Sequence, residues 1–164
     1  MEERMHKTQN DLPQRTRTQI AELCNERLAD AIDLQTQCKA AHWNVKGPNF
    51  IALHELFDKV NEDVEDYVDL IAERAVQLGG IAESTIQSVT KRTNLPEYPL
   101  NIADGNQHVS RLSHSVAYFG ELVRKAINQS SELNDAGTAD IFTEISRGLD
   151  KWLWMLEAHL HLNE

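Results

Sequence analysis

Between Phe50 and Leu78 the chain has neither glycine nor proline, and apolar residues fall at Phe50, Leu53, Phe57, Val60, Val64, Val68, Ile71 and Leu78. That spacing keeps one face apolar at helical pitch and permits little except a long amphipathic helix. Lys46-Gly47-Pro48-Asn49 breaks the chain before this segment, and Gly79-Gly80 ends it. The same period predicts a first helix over about 16–43, a third over about 104–128 and a fourth over about 138–162. Residues 81–101 hold one short amphipathic piece, AESTIQSVT, and an irregular crossover, NLPEYPLN.

Seven glycines and four prolines in 164 residues are too few for a turn-rich β fold, and the length suffices for one proper core. The expected fold class is therefore all-α. Four long helices with one long connection between the second and third describe a ferritin-like four-helix bundle, with a short extra helix in the crossover. The domain reading is a polar N-terminal tail over 1–13 and a single bundle over 14–164. No run is apolar enough to span a bilayer and the first nineteen residues are polar, so neither a membrane helix nor a secretion signal is expected. Cys24 and Cys38 lie in one predicted helix, roughly 21 Å apart at 1.5 Å per residue. They are expected to be buried thiols of a reducing cytoplasm rather than a disulfide.

The net charge of −10 argues against a surface made for nucleic acid. The acids are also concentrated. The predicted second helix carries eight of them: Glu55, Asp58, Glu62, Asp63, Glu65, Asp66, Asp69 and Glu73. A solvated face explains most such runs. Here His54 and Asp58 share one face, as do Asp69 and Glu73, and both pairs lie on one stripe. His54 and Glu73 are roughly 28 Å apart along that helix, too far to share an ion. If the helix crosses a copy of itself antiparallel, however, His54 opposes Glu73 and Asp58 opposes Asp69, because both pairs of numbers have the same total. One dimer then carries two identical clusters. His42, set before the Gly-Pro break about as far as His54 is set after it, joins them in a helical hairpin. Two imidazoles with three carboxylates suit one or two ions of a borderline to hard metal, iron above all, and leave a position for an oxidant. A closed structural zinc site would normally use cysteine.

KAAHWNVKGPNFIALHELFD, followed by DLIAERAVQLGG and Thr85, resembles the signature of the Dps family, the mini-ferritins named for DNA protection during starvation. TADIFTEISRGLDKWLWMLEAH resembles the family's last helix, so the likeness spans nearly the whole chain. It implies a hollow dodecamer in the bacterial cytoplasm or nucleoid and a stress-response role in iron homeostasis. It also implies a ferroxidase centre at each two-fold interface, where Fe²⁺ is oxidised, preferably by hydrogen peroxide, and stored as ferric mineral. The family's ligand positions fall on His42, His54, Asp58, Asp69 and Glu73. The resemblance gives Trp43 a role as electron donor beside the iron; packing at the hairpin end is the competing explanation. Trp154 also falls at a family position, whereas Trp152 does not; packing or subunit contact is expected for both.

The family has acidic pores near the start of its last helix, where this chain has Asp135, Asp140 and Glu144. Rings of these around a three-fold axis would draw in Fe²⁺; helix capping accounts for Asp135 and Asp140 without a pore. His108, His114, His159 and His161 form no second cluster by spacing. DNA binding in the family often uses a lysine-rich tail. Residues 1–19 offer Arg4, Lys7, Arg15 and Arg17 against Glu2, Glu3 and Asp11, and the ending HLHLNE offers nothing basic. Weak, salt-sensitive DNA association is expected at most. The alternative function is a nucleoid protein that condenses DNA, with iron chemistry secondary.

Overall fold

A computed structural model describes residues 5–160. It has five helices: α1 (Gln14–Asn44), α2 (Phe50–Gln77), α3 (Ile86–Arg92), α4 (Gly105–Glu132) and α5 (Ala136–Glu157). The short loops after α1 and α4 make two antiparallel hairpins, α1 with α2 and α4 with α5, and these stack through α1 against α4 and α2 against α5. The long connection from Leu78 to Asp104 carries α3, which rests on α1. This is the four-helix bundle with one crossover and an extra short helix that the sequence predicts.

Side chains from all four long helices fill one core, in which Leu28, Leu34, Phe57, Ile71, Phe119 and Phe142 are fully buried. Each such side chain contributes about 1.5–3 kcal/mol of transfer free energy. Gly79 ends α2 with φ +89°, and its carbonyl accepts the His6 amide at 2.7 Å. A Cβ there would collide with the His6 carbonyl, so the residue serves both the turn and the close approach of the N-terminal segment. Leu12 packs against the core, and residues 5–13 are non-helical up to Gln14. Residues 1–4 lie outside the described residues.

Two boundaries differ from the sequence expectation. α4 continues a turn beyond residue 128 and stops at Glu132, because the chain reverses only where Asn134 adopts φ +59°. The Asn134 and Asp135 amides then bond back to the Ser131 and Ser130 carbonyls, satisfying the helix end. α5 starts at Ala136, capped by Asp135, and ends at Glu157 rather than near residue 162. Residues 161–164, including His161, lie outside the described residues. Cys24 and Cys38 are both free and buried, and burial pushes each thiol up to about 12. Among the described residues no helix is long and apolar enough to cross a membrane.

Candidate metal centre

The α1–α2 hairpin brings His42 and His54 face to face. Their rings stack with centroids 3.7 Å apart and planes 19° from parallel. His42 Nδ1 lies 2.6 Å from the His54 carbonyl oxygen, and His54 Nδ1 lies 2.8 Å from the His42 carbonyl oxygen. A carbonyl only accepts, so both Nδ1 atoms carry the proton and both Nε2 lone pairs are left free. Fixing the tautomer through a backbone carbonyl is how proteins orient an imidazole ligand for a metal. The Val45–Asn49 loop, with Gly47 at φ +113°, sets the register that makes the pair reciprocal.

Asp58 lies one turn beyond His54 on the same cleft, which has a volume of about 400 Å³ and is also lined by Ile51, Glu55, Lys59 and Glu62. Its Oδ1 accepts a 2.7 Å hydrogen bond from Lys39 Nζ, which reaches across from α1. That ammonium holds the carboxyl below the usual carboxylate range; partial burial opposes the shift and His42 and His54 reinforce it. The sequence reading does not mark Lys39, and it includes Glu62 only as one of the eight acids of α2. Their signals were present: Lys39 is a turn before His42 on α1, and Glu62 is a turn after Asp58 on α2.

Asp69 and Glu73 are exposed further along the same unbroken α2, away from the histidines of their own protomer. Among the described residues no three His, Cys, Asp or Glu side chains within one protomer converge to hold a metal ion. His42, His54 and Asp58 line one cleft, and Asp69 and Glu73 lie apart from it along α2.

The sequence matches the ferritin-like domain family over residues 21–164. It is 47% identical over 155 residues to the DNA protection during starvation protein of Agrobacterium fabrum, covering 94% of this chain and 96% of that protein. The chain belongs to the Dps family. Among solved structures, DpsC from Streptomyces coelicolor superposes with TM-score 0.91 at 28% identity, covering 98% of this chain and 94% of that one. Mycobacterium smegmatis Dps superposes with TM-score 0.89 at 30% identity, covering 94% of each chain.

On this Dps-family subunit Trp43 is 68% exposed, so packing within the hairpin does not explain it; Lys39 Nζ lies 5.5 Å from its ring centroid. Trp154 is also exposed, at 65%. Trp152 is buried, and its Nε1 donates 2.7 Å to Asp63 Oδ2, fastening α5 to α2. Asp135 is buried too. Arg74 Nη2 donates to both its oxygens at 2.8 and 3.1 Å, and Oδ1 caps α5 by accepting the Thr138 amide at 3.0 Å. Capping and ion pairing therefore account for Asp135 without a pore, whereas Asp140 and Glu144 point to solvent. His108 is buried beneath the crossover, while His114 and His159 are exposed.

Proposed function

We propose that this protein is a ferroxidase and iron-storage subunit that oxidises Fe²⁺, with hydrogen peroxide as preferred oxidant, and deposits ferric mineral inside a dodecameric shell. The observation that carries the reading is the reciprocal His42–His54 pair, which presents two free Nε2 donors beside Asp58. His42, His54 and Asp58, lining one open cleft, need further ligands to hold an ion. Antiparallel crossing of two α2 helices supplies them as Asp69 and Glu73 of the partner subunit. Exposed Trp43, Phe50 and Ile51 beside the cleft give that crossing an apolar surface to bury.

Iron is the substrate here. Imidazole nitrogen and carboxylate oxygen hold Fe²⁺, and the anionic oxygens stabilise Fe³⁺ more, which favours its oxidation. Peroxide takes two electrons and two protons to become two waters, so hydroxyl radical is avoided only when both electrons arrive together. Lys39 holds Asp58 Oδ1 with a positive charge, and so favours one iron ion per site over two. Asp140 and Glu144, exposed and one turn apart on α5, are the candidates for a negative iron-uptake pore. Protection of DNA then follows from removing iron and peroxide together. An acidic chain with so weak a basic tail is poorly suited to coating nucleic acid. Free buried thiols agree with a reducing bacterial cytoplasm.

The test is ferric absorbance after mixing Fe²⁺ and peroxide, run beside a measurement of particle mass. Fast, saturable oxidation by an assembled shell supports the reading. Full activity in a monomer, or none in the shell, would overturn it.

A further inference from the structure

Tyr98, in the crossover, places its hydroxyl 2.6 Å from Nδ1 of His108 in the first turn of α4. Burial pushes the phenol well above its ordinary range; with its O–H donating to Nδ1, the His108 proton sits on Nε2. His108 is 1% exposed, and its Nε2 has no hydrogen-bond partner among the described residues. Burial disfavours a positive ring, and the Ile102 backbone and Asp104 offset only part of that effect. A buried polar nitrogen left unpaired costs stability and calls for an explanation. The His108 ring is 6.0 Å from the Tyr98 ring and 6.4 Å from the ring of Phe57, which immediately precedes Asp58 in the chain.

We propose that Tyr98 and His108 form a proton-coupled electron donor serving the iron site, an inference that rests on the ferroxidase reading. With Lys39 on Asp58, one Fe²⁺ supplies one of the two electrons that peroxide requires. Tyr98 supplies the other through Phe57 as its hydroxyl proton passes to His108 Nδ1. The balance is one peroxide, one Fe²⁺, one Tyr98–His108 pair and two solvent protons. They give two waters, one Fe³⁺ and a neutral tyrosyl radical bonded to imidazolium. The next Fe²⁺ returns an electron to the radical and the proton goes back from Nδ1 to oxygen, so two Fe²⁺ are consumed per peroxide. Oxidation makes a phenol far more acidic, so even an imidazole weakened by burial takes its proton. The Trp43 and Trp152 indoles are worse donors, because Lys39 and Lys151 ammonium groups lie 5.5 and 4.4 Å from their ring centroids and disfavour a positive hole there.

The experiment is freeze-quench electron paramagnetic resonance on the assembled protein given one Fe²⁺ per subunit and peroxide. A parallel arm uses iron-free protein oxidised by photogenerated ruthenium(III) tris-bipyridine. Wild type should give a tyrosyl signal in both arms, narrowed when the protein is grown on ring-deuterated tyrosine and slower to form in D₂O. Tyr98→Phe should lose the signal and His108→Asn should lose the D₂O effect, with particle mass and helical circular dichroism unchanged. Should either variant fail to assemble, Tyr67→Phe and Tyr118→Phe decide instead: both should keep the signal, and its loss in either overturns the assignment to Tyr98. Ferric absorbance without a tyrosyl signal, or a signal that survives Tyr98→Phe, overturns the pair's role while leaving the ferroxidase reading intact. A photochemical signal with no ferric absorbance overturns both.

Discussion

Lys39 Nζ and Asp58 Oδ1 are 2.7 Å apart, joining α1 to α2 directly beside the stacked histidines. The pair is about one-third exposed on each side, so its value to stability is small and its consequence is chemical. One oxygen of a proposed ligand is already neutralised by a fixed cation. Replacing that cation by Lys39→Met should free Asp58 to bind a second ion. Anaerobic calorimetric titration with Co²⁺ is expected to give one ion per site in wild type and to approach two in the variant. An unchanged stoichiometry would show that the ammonium does not set the count.

A site divided between subunits makes a sharper prediction. His42→Ala and Glu73→Ala should each slow peroxide-driven iron oxidation by at least about 10–100-fold, the range seen when even outer partners of metal ligands are lost. Subunits of the two variants, unfolded together and reassembled, should recover activity. Each mixed dimer has one doubly damaged and one intact centre. Failure of the mixture, with correct particle mass, would mean that the ligands come from one chain.

Arg74 and Asp135 form an inner ion pair that also caps α5 and bonds to Thr138 through Arg74 Nε at 2.8 Å. Asp135 is 3% exposed. Arg74→Ala should therefore cost about 3–5 kcal/mol in denaturant unfolding, because it strands a buried carboxylate. Arg74→Ala combined with Asp135→Asn should recover part of that loss, since the amide retains the cap without the charge.

Cys24 and Cys38 give a dependence on pH. Both thiols rise from 9.0 to about 12 on folding. The native state keeps protons that the unfolded chain releases, so stability falls as pH climbs from the unfolded value through the folded one. The slope is about 1.4 kcal/mol per thiol per pH unit within that window and vanishes below it. Thermal midpoints measured between pH 8 and 11 should drop less in Cys24→Ala/Cys38→Ala than in wild type. The native thiols should also resist iodoacetamide at pH 8 until denaturant is added.

Packing against Gly148 supplies a test of the core. A Cβ there would run into the Tyr67 hydroxyl, whose phenol burial has pushed up to about 12. Gly148→Ala is expected to destabilise by about 1–3 kcal/mol as overpacking, read from the urea midpoint. Tyr67→Phe should relieve part of it, since the ring carbon that bore the hydroxyl still lies 2.8 Å from the added Cβ.

The chain's own sequence determined the long helices, their order and the crossover, because helical period and Gly-Pro or Gly-Gly breaks act over a few residues and need no partner. The same local rule put His54 and Asp58 on one stripe and made His42 their neighbour across the hairpin. Tertiary structure alone decided the rest. The reciprocal carbonyl bonds that free both Nε2 atoms, the Lys39 cation on Asp58, the Arg74 grip on Asp135 and the Tyr98–His108 bond join residues from different elements or turns. Such contacts depend on where side-chain tips arrive once helices have packed. Periodicity fixes which face a residue occupies, but not what waits for it there.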